Sequence, residues 1–166
     1  MTHEQLTVSV AIASWKNAVG RVDKILSELT EEQFLQEVAP GKNRIVYLLG
    51  HLTAVHDSIH TILGVGERLH PELDAIFVSK PDKTITQLPP VPELKKHWTH
   101  VNNSLLEQFA RLSPQEWLER HMAMSDTEAF GTLIRKLTLP GRLENRSVRI
   151  RSSPLTFLSN RPSTNT

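Results

Sequence analysis

Histidine is the residue type in this chain whose number and spacing invite a chemical reading. There are 8 histidines: His3, His51, His56, His60, His70, His97, His100 and His121. His56 and His60 are four apart, so a helix presents both on one face, the spacing used when a helix supplies two ligands to a metal ion. His51 and His56 are five apart, about 140° around a helix, and cannot chelate one ion from a regular helix. His97 and His100, three apart, are a weaker candidate pair. Each has a plainer reading. An i,i+4 histidine pair in a helix is solvated more often than metal-bound. His51, between Leu48 and Val55 on an inner face, would ordinarily be a hydrogen-bonded core residue. Cysteine is absent, which excludes a disulfide framework, a thiolate metal site and a cysteine nucleophile.

The elements that would position these residues are helical. Val8, Ile12, Trp15, Val19, Val22, Leu26 and Leu29 alternate spacings of four and three, which places all of them on one face of a helix over 5–29. Thr30 and Gln33 fit a capping box, with Leu29 and Phe34 as its hydrophobic staple, so a short helix starts there and ends near Pro40-Gly41. Ile45, Leu48, Leu49, Leu52, Val55, Ile59, Ile62 and Leu63 predict a long helix over 43–63, closed by Gly64 and Gly66. Leu73, Ile76 and Phe77 suggest a short helix after Pro71. Pro81, Pro89, Pro90 and Pro92 make an extended connection. Leu94, Trp98, Val101, Leu105, Phe109 and Leu112 then share a face over 92–112, with Pro92 in the tolerated first turn. Trp15, Leu48, Leu52, Trp98, Val101 and Leu105 are the expected core. The capped segment at Thr30 is echoed at Ser113-Pro114-Gln115-Glu116-Trp117-Leu118, which suggests two similar halves, the second lacking its long helix.

The pattern changes near residue 130. Residues 1–130 carry 12 Lys+Arg against 17 Asp+Glu, and residues 131–166 carry 7 against 1. Leu133, Ile134, Leu137 and Leu139 allow two helical turns before Pro140-Gly141. Beyond them Arg, Ser, Thr, Asn and Pro dominate, the composition of a poorly structured tail. The expected division is a helical domain over 1–130 and a basic tail over 131–166. The length fits one domain with one modest core. No apolar run approaches the ~20 residues of a membrane span, and the N-terminus lacks the basic and apolar regions of a signal peptide. A cytoplasmic protein without membrane contact is the expectation.

The string Asn43-Arg44-Ile45-Val46-Tyr47-Leu48-Leu49-Gly50-His51-Leu52-Thr53-Ala54-Val55-His56-Asp57, with the two capped segments, resembles the DinB/YfiT-like superfamily over about residues 5–130. The resemblance implies an all-α, up-and-down four-helix bundle, here with the fourth helix missing or degraded. It also implies a divalent cation, zinc or nickel, held by three histidines. One stands at the position of His51, and the other two form an HxxxH pair in the last helix. No histidine follows His121. His51 is therefore the first candidate ligand, with His56 and His60 as substitutes, and no tight metal is the expectation for this chain. The abrupt change near 130 is what a reading-frame shift would produce. If Gly131–Arg135 is encoded GGG-ACC-CTC-ATC-CGC, another frame reads Asp-Pro-His-Pro, like the acid-Pro-His string of the family. A divergent tail is the competing account.

Three functions follow. The first is a DinB-like, metal-dependent transferase or hydrolase, impaired by loss of the last-helix pair. The second is a metal-free helical binding protein, or an inactive frameshifted product; an uncovered fourth side would favour a homodimer. The third, nucleic-acid contact through the basic tail, lacks aromatic interleaving or a named motif. The substrate is not specified by any motif.

Overall fold

The structure, a computed structural model, describes residues 1–118. The expectations for a degraded fourth helix, a basic tail over 131–166 and an uncovered side lie outside the described residues. Within those residues the fold is helical: α1 (His3–Glu28), α2 (Glu31–Phe34), α3 (Ile45–Ile62), α4 (Leu73–Phe77) and α5 (Val91–Arg111), with 3₁₀ turns at Asp82–Thr84 and Glu116–Leu118. No described helix is long and apolar enough to cross a membrane.

Local chemistry accounts for the boundaries. α1 begins two residues before its apolar stripe predicts, because Thr2 and Gln5 form a capping box. Thr30 and Gln33 form the expected second box. Ser113 and Glu116 form a third, with Ser113 N–H donating to Glu116 Oε2 at 2.7 Å and Glu116 N–H to Ser113 Oγ at 3.3 Å. α2 is shorter than expected and ends at Phe34. Gly41, at φ 75°, turns the chain back, and Val38 N–H donates to Asn43 O at 3.1 Å, an arrangement that a continued helix would forbid.

The three long helices share two apolar clusters. Leu26 of α1, Val46 and Leu49 of α3, and Leu94 of α5 meet at one end. Val8 and Trp15 of α1, Leu63 just after α3, and Leu105 and Phe109 of α5 meet at the other. α3 and α5 therefore run parallel, with α1 antiparallel to both. Parallel neighbours need a crossover as long as the bundle, and residues 63–90, carrying α4, provide it.

Trp15, Trp98, Val101 and Leu105 are buried as expected. Leu48 and Leu52 are only half-buried. α3 is rolled about its axis so that Thr53, Asp57 and His60 are fully enclosed. The reason is Asp57. Its carboxylate accepts hydrogen bonds from Leu69 N–H (2.8 Å), His70 N–H (2.9 Å) and Arg68 Nε (3.2 Å). Arg68 also pairs with Asp74 and donates to Ala54 O at 3.3 Å. The crossover backbone is thus hydrogen-bonded to a helix side chain, which satisfies amides that would otherwise be buried without partners. A second joint, Arg44–Asp82, fixes the far end of the crossover, with Arg44 N–H and Nε donating to the Asp82 carboxylate at 2.7 and 2.9 Å.

Leu105, enclosed between the helices with 0 % exposure, should cost about 2–5 kcal/mol when replaced by alanine, and Leu52→Ala less; urea denaturation of the two variants checks the order. The roll of α3 also predicts an acid dependence. Burial by itself would raise the Asp57 pKa, but hydrogen bonds from His60, the Leu69 and His70 amides and Arg68 outweigh it and hold the group at about 2. Asp57 then contributes stability that is complete above its unfolded value of about 3.9 and is lost as pH falls through its folded value, about 2–3 kcal/mol in all. Between about pH 5 and pH 2, wild type should lose that much more stability than Asp57→Asn. Parallel acid profiles would show that the carboxylate is not ionised in the fold.

Candidate functional site

The Gly50-His51 step of α3 lies against α4. A Cβ at Gly50 would run into the Phe77 ring, so glycine is what lets the short helix approach. The carbonyl of Phe77 at the end of α4 then meets His51 Nδ1 at 2.7 Å. The Tyr47 hydroxyl shares its proton between Phe77 O (3.2 Å) and Lys80 O (2.8 Å). The Tyr47 ring lies nearly parallel to the His51 ring, 7° apart at 6.3 Å. A carbonyl can only accept, so His51 Nδ1 carries the proton and Nε2 is the nitrogen with a lone pair. This is how metal-bound imidazoles are held, one nitrogen donating to a backbone carbonyl and the other left to the ion.

His56 and His60, the substitute ligands, are placed differently. His56 is packed between Trp98 at 4.8 Å and Trp15 at 5.9 Å. Its Nδ1 donates to Asn102 Oδ1 at 2.7 Å, and Asn102 Nδ2 donates to Trp98 O at 2.8 Å. Burial lowers the His56 pKa, against the opposing bond to Asn102, so the ring is neutral at pH 7. His60 uses both nitrogens: Nδ1 donates to Asp57 O at 3.0 Å, and Nε2 accepts from Ser104 Oγ at 2.9 Å. The i,i+4 pair therefore joins α3 to α5 and faces no common ion. His97 and His100 do not act as a pair either. His97 meets His70, from the crossover, and His100 stands edge-on to His70 at 5.7 Å.

The crossover residues that complete these contacts, Phe77 and His70, could not be found from spacing along one helix. Their partners are 26 and 27 residues away. Between α1 and α5 there is also a cleft of about 230 Å³, bordered by Trp15, Lys16, Asp23, Trp98 and Asn103. Trp98 Nε1 donates to Asp23 Oδ1 across it at 2.6 Å.

A catalytic zinc takes three protein ligands and one open position. His51 fits the role of one. Among the described residues, no group of three His, Asp or Glu side chains is placed to hold an ion, so these residues do not fit the complete set. The family model described as the DinB superfamily matches residues 15–137, reaching past the expected boundary at 130. No curated protein matches the chain significantly.

The carbonyl contact makes a spectroscopic prediction. Two-bond ¹H–¹⁵N correlation at neutral pH should show His51 with Nδ1 protonated and Nε2 bare, and Gly50→Ala, which pushes Phe77 away, should abolish that preference. An Nε2–H tautomer in the unsubstituted protein would contradict the geometry.

Proposed function

This chain belongs to the DinB superfamily, and from that premise we propose that it is a helical domain that keeps one oriented imidazole of the family's metal centre and has lost tight ion binding. Metal-dependent transferase or hydrolase activity is accordingly impaired. One observation carries the reading: His51 Nδ1 is committed to Phe77 O at 2.7 Å, which leaves Nε2 as a single ligand nitrogen. The sequence supports it, because no histidine follows His121 to supply the last-helix pair. A lone imidazole leaves a divalent ion mostly to water, far short of the three ligands of a catalytic site. His60 has both nitrogens occupied, by Asp57 and Ser104, and His56 is buried between Trp15 and Trp98 with Nδ1 on Asn102, so neither replaces the missing pair. In this reading the domain occupies about residues 1–130, and 131–166 is a basic appendage, whether divergent or frameshifted. The protein is cytoplasmic.

A second reading is favoured by the cleft between α1 and α5: a metal-free protein that binds a small molecule or a second copy of itself. Here His51 is a structural bolt between α3 and α4.

Elemental analysis of protein purified without an affinity tag, beside His51→Ala, is the test. Zinc and nickel well below one equivalent are expected. Near-equimolar metal that disappears in His51→Ala would overturn the proposal and restore the enzyme. The same variant should lose about 1–2 kcal/mol of stability by freeing the Phe77 carbonyl, a loss that added zinc does not change.

A further inference from the structure

Ser104 of α5 and His60 of α3 stand in a relation that can carry chemistry of another kind. Ser104 Oγ lies 2.9 Å from His60 Nε2. His60 Nδ1 donates to Asp57 O at 3.0 Å, and the same nitrogen is 3.6 Å from Asp57 Oδ1. A main-chain carbonyl only accepts, so the His60 proton sits on Nδ1 and Nε2 is bare. The Ser104 hydroxyl is then the donor in the 2.9 Å contact. A serine hydroxyl given to a bare imidazole nitrogen, with a third group holding the other nitrogen, is how a histidine activates a serine nucleophile.

We propose that Ser104, His60 and Asp57 form a nucleophilic site that acts on small carboxylic esters. Ser104 is the nucleophile, His60 the general base and Asp57 the positioning residue. Asp57 departs from the usual arrangement, because its main-chain carbonyl takes the Nδ1 proton while its carboxylate stays beside the ring. That carboxylate still faces the charge that appears when His60 gains a proton. His60 and Asp57 are both enclosed, where such an attraction is stronger than in water. Ser104 is half-buried and so partly open to solvent. Gly66 lies beside the Nε2 edge of the ring. A Cβ there would meet only His60 Cδ2, at 3.9 Å, and Cδ2 is bonded to Nε2. Glycine thus keeps space beside the base for a substrate. The Gly66 N–H has no backbone acceptor among the described residues, which leaves it to an oxygen anion formed at that edge.

The reaction needs only these side chains, the ester and water. Ser104 Oγ bonds to the acyl carbon as its proton passes to His60 Nε2. The tetrahedral intermediate expels the alcohol oxygen, which takes that proton and departs as the alcohol. Water then repeats the sequence on the acyl-serine, releasing the carboxylic acid and restoring the hydroxyl. None of these groups contacts His51, so the site stands apart from the metal reading.

The test is labelling of the full-length protein with diisopropyl fluorophosphate, read by intact mass and peptide mapping. One adduct on Ser104 is expected, formed with loss of fluoride, and p-nitrophenyl acetate should acetylate the same residue. Ser104→Ala should abolish both adducts, and His60→Gln should slow them at least about a hundredfold. His51→Ala should leave the rates unchanged. Circular dichroism melting identifies the variants that fold. A thiol in place of the hydroxyl gives a readout that leaves His60 intact. The chain has no cysteine, so Ser104→Cys introduces a single thiol, whose proton His60 should take. At pH 6, iodoacetamide should alkylate Ser104→Cys at least about tenfold faster than Asn103→Cys, its exposed neighbour. Absence of an adduct on Ser104 with either reagent, labelling within about twofold of wild type in folded His60→Gln, or Ser104→Cys reacting no faster than Asn103→Cys would overturn the proposal.

Discussion

Asp57 lies fully enclosed on α3, and the path of the chain between the second and third long helices depends on its ionised carboxylate. It accepts from two consecutive backbone amides, Leu69 and His70, and from Arg68. A buried charge is tolerable only when hydrogen bonds and a counter-charge replace its water. Here Arg68 supplies the charge and itself pairs with Asp74 at the start of α4. The network therefore sets where the crossover leaves α3 and where α4 begins. Once α4 is placed, Phe77 O reaches His51 and Tyr47. Once residues 69 and 70 are placed, His70 reaches His97. Two long-range contacts of the histidines thus depend on one carboxylate.

The histidines illustrate how one residue type takes on separate duties in different surroundings. His56 is a neutral aromatic core residue with an amide partner. His60 is saturated, donating from one nitrogen and accepting on the other. His51, like His56, is bonded through Nδ1 alone, but it is half-buried beside α4 rather than packed between two tryptophans. His70 and His97 face each other with carboxylates behind them. None of these states follows from being histidine, and none is visible from the i,i+4 rule. Each is set by which acceptor the fold brings to Nδ1 or Nε2.

The parallel arrangement of α3 and α5 explains why polar groups are concentrated between them. Their contact includes His56–Asn102 and His60–Ser104 as well as the Leu and Trp packing. A crossover must return along the whole bundle, and its backbone needs partners as it does so. Asp57, Tyr47 and Arg44 provide them. Apolar side chains could not have done so, which is why α3 buries a polar face and leaves Leu48 and Leu52 at the flank.

Much of the scaffold was legible in the amino-acid sequence by itself. The 3.6-residue stripes located α1, α3 and α5 within a residue or two, because amphipathic periodicity is local and repeats over many turns. The boxes at Thr30 and Ser113 were readable because capping uses residues three apart. The family resemblance carried by the string around Gly50-His51 marked His51 as the first candidate ligand. The roll of α3, the truncation of α2, the parallel run of α3 and α5, and the partners of every histidine were decided only in the tertiary structure. These depend on contacts such as His51–Phe77 and His70–His97, whose members lie 26 and 27 residues apart. Helical periodicity carries no information about which acceptor a distant segment will present, so an inward-pointing histidine could be predicted, but not what it would meet.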